Sequence, residues 1–192
     1  MTSLEWTVVV ILALVLVAWY LSYNAARLDR LHARAEGTLA ALDAQLVRRA
    51  EATLELANSG AVDAASALIL ASAASESLSA SEFADADAQE QRFGPERGSV
   101  ESDLTEALER VLTPEVVADI RDTEDGFDDL ALERVRATVQ RVQLARRFHN
   151  DAVVDVRAVR RKRAVRFFRL AGHAGMPQTV DFDDELPPGL RA

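Results

Sequence analysis

The chain has 192 residues, a mass of 21.0 kDa and a formal charge of −9 at pH 7. So acidic a polypeptide lacks the positive surface that phosphate contacts need, which argues against a general nucleic-acid binder. It has no cysteine, which excludes disulfides, thiolate nucleophiles and zinc–thiolate sites. Hydrophobic residues make up 49% while glycine (8) and proline (5) are scarce, a balance that favours helix.

In chain order, the first element after a short flank, 1–5, is a membrane anchor over 6–23. Trp6 to Leu21 reads WTVVVILALVLVAWYL with no charge inside it. At helical rise it spans ~24 Å against a hydrocarbon core of ~30 Å, and Ser22 and Tyr23 extend it. Trp6 marks one end, and Trp19, Tyr20 and Tyr23 the other, where interfacial aromatics belong. A cleaved signal peptide would carry a basic leader and a small-x-small site, but the leader is MTSLE and the run ends in bulky residues. Arginines flank the run only on its C-terminal side, at Arg27, Arg30 and Arg34. The positive-inside rule then predicts a single-pass protein of the cell (inner) membrane, N-terminus outside and the remainder cytoplasmic.

Beyond the anchor, Leu28, Leu31, Ala35, Leu39, Leu42, Leu46, Ala50 and Leu54 recur in steps of three or four, one face of an amphipathic helix. Asn58-Ser59-Gly60 reads as its end. A second helix is expected from Ala61 to about Gln91, with partial disorder the alternative where serines and acids gather over Ser75 to Ala88. Phe93 to Gly98 is a connection. Ser99 or Ser102 caps a third helix bearing Leu104, Leu108, Val111 and Leu112, and Thr113-Pro114-Glu115 restarts it. The acidic stretch Asp122 to Asp129, with Gly126, reads as a turn. A last long helix runs from about Phe127 to Leu170 on the stripe Val135, Val139, Val142, Ala145, Phe148, Ala152, Val156 and Val159. Residues 171–192, with Gly172, Gly175, Pro177, Pro187 and Pro188, read as an extended or disordered tail. The expected fold is all-α: the transmembrane helix, then an antiparallel four-helix bundle over 24–170.

Several segments resemble the LemA family of bacterial membrane-anchored helical-bundle proteins. They are Tyr23-Asn24, Leu42-Asp43-Ala44-Gln45-Leu46-Val47-Arg48-Arg49, Ala145-Arg146-Arg147-Phe148-His149-Asn150-Asp151-Ala152-Val153, and Phe168-Arg169-Leu170-Ala171-Gly172. The chain departs from that pattern with Leu39 in place of a tryptophan, no proline after the twin arginines, and Val156-Arg157 in place of a second Tyr-Asn pair. The resemblance implies a bundle and a membrane address. It implies no activity.

No catalytic, cofactor-binding or metal-ligating residue emerges, and no cofactor is expected. His32 and Glu36 share a helix face, but two ligands do not close a site, and a solvated polar face accounts for them. His149 lies beside the last helix's stripe, and His173 stands apart. The stretch ending at Gly126 puts Arg121 and Thr123 at the first ligand positions of a calcium loop, which fails the pattern.

Charge placement is the informative feature. Arginines crowd the last helix, opposed there by few acids, and Arg146 and Arg147 are expected to pair with acidic neighbouring helices. Arg160, Arg161, Lys162, Arg163, Arg166 and Arg169, with Phe167 and Phe168, close that helix. In an up-down bundle they return to the membrane as a candidate lipid-headgroup contact. The expected function is a non-enzymatic, membrane-tethered interaction or scaffold module. Its partners would be the lipid bilayer and another protein, with a homo-oligomer possible and nucleic acid excluded. Alternatives are a signalling or sensor subunit that dimerises through Leu28, Leu31, Ala35, Leu39, Leu42 and Leu46, or an accessory partner of a membrane enzyme such as a protease. Asp181, Asp183, Asp184 and Glu185 would either dock a partner or solubilise the tail.

Overall fold

Strong helix formers and few breakers produce helix nearly throughout. The computed structural model describes residues 3–86, 93–122, 126–168, 170, 172 and 174–191. Among them are α1 (Ser3–Ser59), α2 (Ala64–Ala86), α3 (Pro95–Val111), α4 (Pro114–Asp122), α5 (Gly126–Arg160) and α6 (Arg163–Phe167), with a 3-10 turn at Pro188–Leu190. The described residues include no strand. The expected end of α1 holds, with Gly60 in the left-handed region at φ 91°. Asp63 caps α2 by accepting the backbone N–H groups of Ala65 and Ser66. Helix persists to Ala86; the rest of the expected second helix, 87–91, lies outside the described residues, as do 123–125 of the acidic turn.

The chain forms two compact units. The first comprises Met1–Gly37 and Asp151–Gln178. Its part of α1 carries a segment long and apolar enough to cross a membrane, none of it buried. Beyond that segment, Leu28 and Ala35 share an apolar cluster with Ala152, Val156, Val159 and Val165. Arg34 meets Asp155 at 3.4 Å and His32 meets Arg160 at 3.3 Å. Rising numbers on α1 thus face falling ones on α5, an antiparallel pair. The long helix expected to run unbroken to Leu170 instead stops at Arg160. Lys162 is extended (φ −61°, ψ 135°) and α6 restarts at Arg163. Successive like charges at helical spacing oppose continuation there, whereas cations in the last turn of α5 suit its negative end.

The second unit comprises Thr38–Asn150 and Thr179–Ala192. Parts of α1 and α5, with α2, α3 and α4, surround a core that includes Leu56, Leu70, Leu104, Leu108, Leu112, Leu132 and Val135. Here too α1 and α5 are antiparallel: Thr38 meets His149 at 3.3 Å, and Arg134 meets Glu55. On α5 the expected stripe needs one correction. Phe148 is exposed and His149 is buried, because the buried positions Val135, Val139, Val142, His149, Val153 and Val156 follow a heptad rhythm that leaves Phe148 outside.

The last segment also departs from expectation. Residues 179–187 have no helix or strand and lead into the 3-10 turn at Pro188–Leu190, but the segment packs into the second unit rather than forming a disordered tail. Val180 and Phe182 join Leu42, Leu46 and Val142 in one cluster, and Leu190 enters the main core. The α1 stripe put forward as a dimer seam is covered within the chain, since Leu28, Ala35, Leu42 and Leu46 are all buried.

Candidate functional site

Two polar features stand out, one in each unit. In the first, the four predicted interface aromatics Trp6, Trp19, Tyr20 and Tyr23 are exposed. Trp19 and Tyr23, one turn apart, stack with centroids 6.3 Å apart. Asn24, beside them, is buried and donates from Nδ2 to the Tyr20 carbonyl at 2.8 Å.

The candidate headgroup residues divide. Arg160 is half-buried and braces the chain that follows, donating from Nη1 to the carbonyls of Ala174 (2.9 Å) and Gly175 (2.7 Å). It is therefore a structural residue rather than a free cation. Its neighbour Arg157 does the same at Pro177. His32 also turns inward, with Nδ1 3.0 Å from the Leu28 carbonyl. By contrast Arg161, Lys162, Arg163 and Arg166 are exposed, without an ion pair among the described residues. Phe167 is 81% exposed and Phe168 48%, and their rings meet edge to face at 4.9 Å. Val165, between these residues, is buried and fixes α6 to the cluster that holds Leu28. Arg169, also a candidate, lies outside the described residues.

The second unit contains a buried charge layer that residue type does not suggest. Arg49 on α1 and Glu101 on α3 are both fully buried. Arg49 Nη2 donates to Glu101 Oε2 at 2.7 Å and to its carbonyl at 3.0 Å, while Nη1 donates to Thr105 Oγ1 at 3.0 Å. Arg97, one turn before Glu101, donates from Nε to Oε1 at 2.7 Å. The Ser77 hydroxyl of α2 donates to the same carboxylate at 2.9 Å. Asp43 stands 3.5 Å from Arg97 at the edge of the layer. Burial pushes the Arg49 guanidinium below its ordinary value, and Glu101 opposes that shift. Arg49 Nε and Arg97 Nη1 are buried without a hydrogen-bond partner among the described residues.

The signal for this layer was present in the sequence. Arg49 follows Leu42 and Leu46 in heptad phase, and Arg97 and Glu101 precede Leu104, Leu108 and Val111 in the same rhythm. Twin arginines conceal it: Arg48 is exposed and Arg49 is not.

Arg146 sits at another such position, while Arg147 faces solvent. Arg146 was expected to pair with a neighbouring helix. It instead grips Asp184 of the closing segment through Nε and Nη2, both at 2.7 Å. Its guanidinium also lies 5.5 Å from the Phe182 ring centroid, with Arg49 at 6.0 Å. Asp184 is therefore a buried ion-pair partner and no solubilising charge. Arginine and carboxylate held this way bind and position; arginine does not give up its proton in such a setting.

No family model, curated protein or solved structure matches this chain.

Proposed function

We propose that this protein is a membrane-tethered, non-enzymatic interaction module of the cell inner membrane. In this reading its N-terminus is outside, the helical domain beyond the anchor is cytoplasmic, and the basic, aromatic end of α5 and α6 rests on the inner leaflet. The observation that carries the reading is the exposure, within one short stretch, of Arg161, Lys162, Arg163 and Arg166 together with Phe167 and Phe168. A basic patch alone needs only water. An exposed phenylalanine pair beside it gains by entering the headgroup–acyl boundary, and each cation near an anionic leaflet contributes about 1 kcal/mol. The apolar cluster shared by Val165 and Leu28 supports the location, since Leu28 follows Tyr23 by only ~7.5 Å of helix. The likeness to the LemA family implies the same address.

The test uses full-length protein labelled at Phe167→Cys with an environment-sensitive fluorophore. The absence of native cysteine makes the label unique. In anionic nanodiscs the probe should shift to the blue and be quenched by lipid-borne quencher. Both signals should fall in zwitterionic discs and on charge reversal at Arg161, Lys162 and Arg163. A probe equally wet in both lipids refutes the seat.

A further inference from the structure

Residues 179–184 have no helix or strand of their own, yet they are held as a bound peptide is held. Their side chains alternate, with Val180, Phe182 and Asp184 buried and Asp181 and Asp183 exposed. Side chains of α3 and α5 read their backbone. Asn150 donates from Nδ2 to the Val180 carbonyl at 2.9 Å and accepts the Val180 N–H at Oδ1 at 2.8 Å. Gln143 donates to the Asp184 carbonyl at 2.7 Å. Thr105 donates to the Asp183 carbonyl at 2.6 Å, and Ser102 Oγ accepts the Asp183 N–H at 3.0 Å.

Specificity comes from two side-chain sites. The Phe182 ring centroid lies within 6.0 Å of the Arg49 guanidinium and 5.5 Å of the Arg146 guanidinium, and 5.7 Å from the Phe93 ring centroid. Asp184 receives both arms of Arg146. The groove does not depend on its occupant for Arg49, which Glu101 and Thr105 already fix. It also gathers arginine in a chain of net charge −9, so an acidic ligand is the complement it selects.

We propose that this groove between α3 and α5 is a recognition site for an extended segment with an aliphatic residue, an aromatic and a carboxylate at alternate positions, carried by a partner protein, and that residues 179–184 plug it in cis. The proposal gives the interaction-module reading a class of partner and rests on that reading. The lipid seat belongs to the other unit, and zwitterionic discs remove it from the test.

The experiment inserts a protease site between Gln178 and Thr179, both exposed, in the full-length chain. The probe is a fluorescent peptide of residues 179–191. Uncut protein should bind none of it at micromolar concentration, because a tethered segment competes at an effective concentration on the order of millimolar. Cut protein should exchange its tail for the probe, with rising anisotropy. Probes carrying Phe182→Ala or Asp184→Asn should bind at least about tenfold more weakly, the scale of one charge-assisted contact. The proposal is overturned if the cut chain keeps its helical signal but admits no probe over a day. It is equally overturned if the cut chain loses that signal and excess probe fails to restore it, since the segment is then integral core. Tail-dependent co-purification of two differently tagged uncut copies would replace the partner protein by a second copy and overturn that choice of occupant.

Discussion

Glu101→Gln removes one negative charge from the buried layer and exchanges one acceptor oxygen for an N–H donor. Glutamine has nearly the same shape, and its carbonyl oxygen can still accept from Ser77, but its NH2 must face one of the two arginine donors, Arg49 Nη2 or Arg97 Nε, that the carboxylate accepts in the native protein. What changes is the environment of Arg49 and Arg97, both buried, which would face a neutral amide in place of their shared carboxylate. Deleting one partner of a buried ion pair costs about 3–5 kcal/mol. A side chain of the same shape that keeps one arginine bond and loses the other puts the expectation at ~3 kcal/mol. For a unit somewhat over ~100 residues long, that lowers Tm by roughly 12 °C. The measurement is thermal unfolding of the full-length chain in detergent, followed by far-UV circular dichroism. Adding Arg49→Met removes one of the stranded cations, so the double variant should be less damaged than the sum of the singles, with a coupling on the order of 1–3 kcal/mol. A fall in Tm below ~3 °C with helicity intact would refute the reasoning. It would mean that water reaches the guanidinium groups once the carboxylate is gone.

Gly189→Ala should destabilise the second unit by about 1–3 kcal/mol. A Cβ there would lie 2.6 Å from the Thr113 carbonyl oxygen and from Val117 Cγ2, against backbone that also accepts the Gly189 N–H at Leu112. A melting temperature within error of wild type would contradict it. Glu109 should give a pH-dependent effect. Burial, then the charges of Asp183 and Glu185, raise its carboxyl above the ordinary 4.5. The folded state therefore holds this proton to higher pH than the unfolded state does. Its contribution to stability is present in full below pH 4.5 and declines as pH rises through the folded value. Glu109→Gln should accordingly be more stable than wild type at pH 7, and the gap should close on acidification toward 4.5, as urea unfolding at a series of pH values would measure. A variant less stable at pH 7 would point instead to the Arg191–Glu109 contact, 3.7 Å, as the dominant interaction.

Adjacent residues of like type shared out inside and outside in ways that pattern reading handled unevenly. The apolar run at 6–23, the end of α1 and the start of α4 were legible because each is signalled within a few residues, by hydropathy, Gly60 or Thr113-Pro114. Arginine was harder. Read by residue type, Arg49, Arg146 and Arg160 belong to solvent; read by helix phase, Arg49 and Arg146 fall on the buried face. A single position of helix phase separates Phe148 from His149, enough to exchange an exposed aromatic for a buried histidine. The closing segment misled for a related reason. Glycine, proline and acids are the composition of a loose end, but the alternation of Val180, Phe182 and Asp184 is that of a strand-like ligand.

Local sequence alone settled that this chain is helical and that one helix is oily enough to cross a membrane. Both are properties of a single segment, set by propensity, rise per residue and transfer from water. Tertiary structure alone decided which charges are buried. Arg49 can leave water only because α3 brings Glu101 and Thr105 and α2 brings Ser77 to the same level. Asp184 can do so only because Arg146 reaches it from α5. A buried charge is tolerable where partners from distant parts of the chain converge on it, and that convergence is written in no one stretch of sequence.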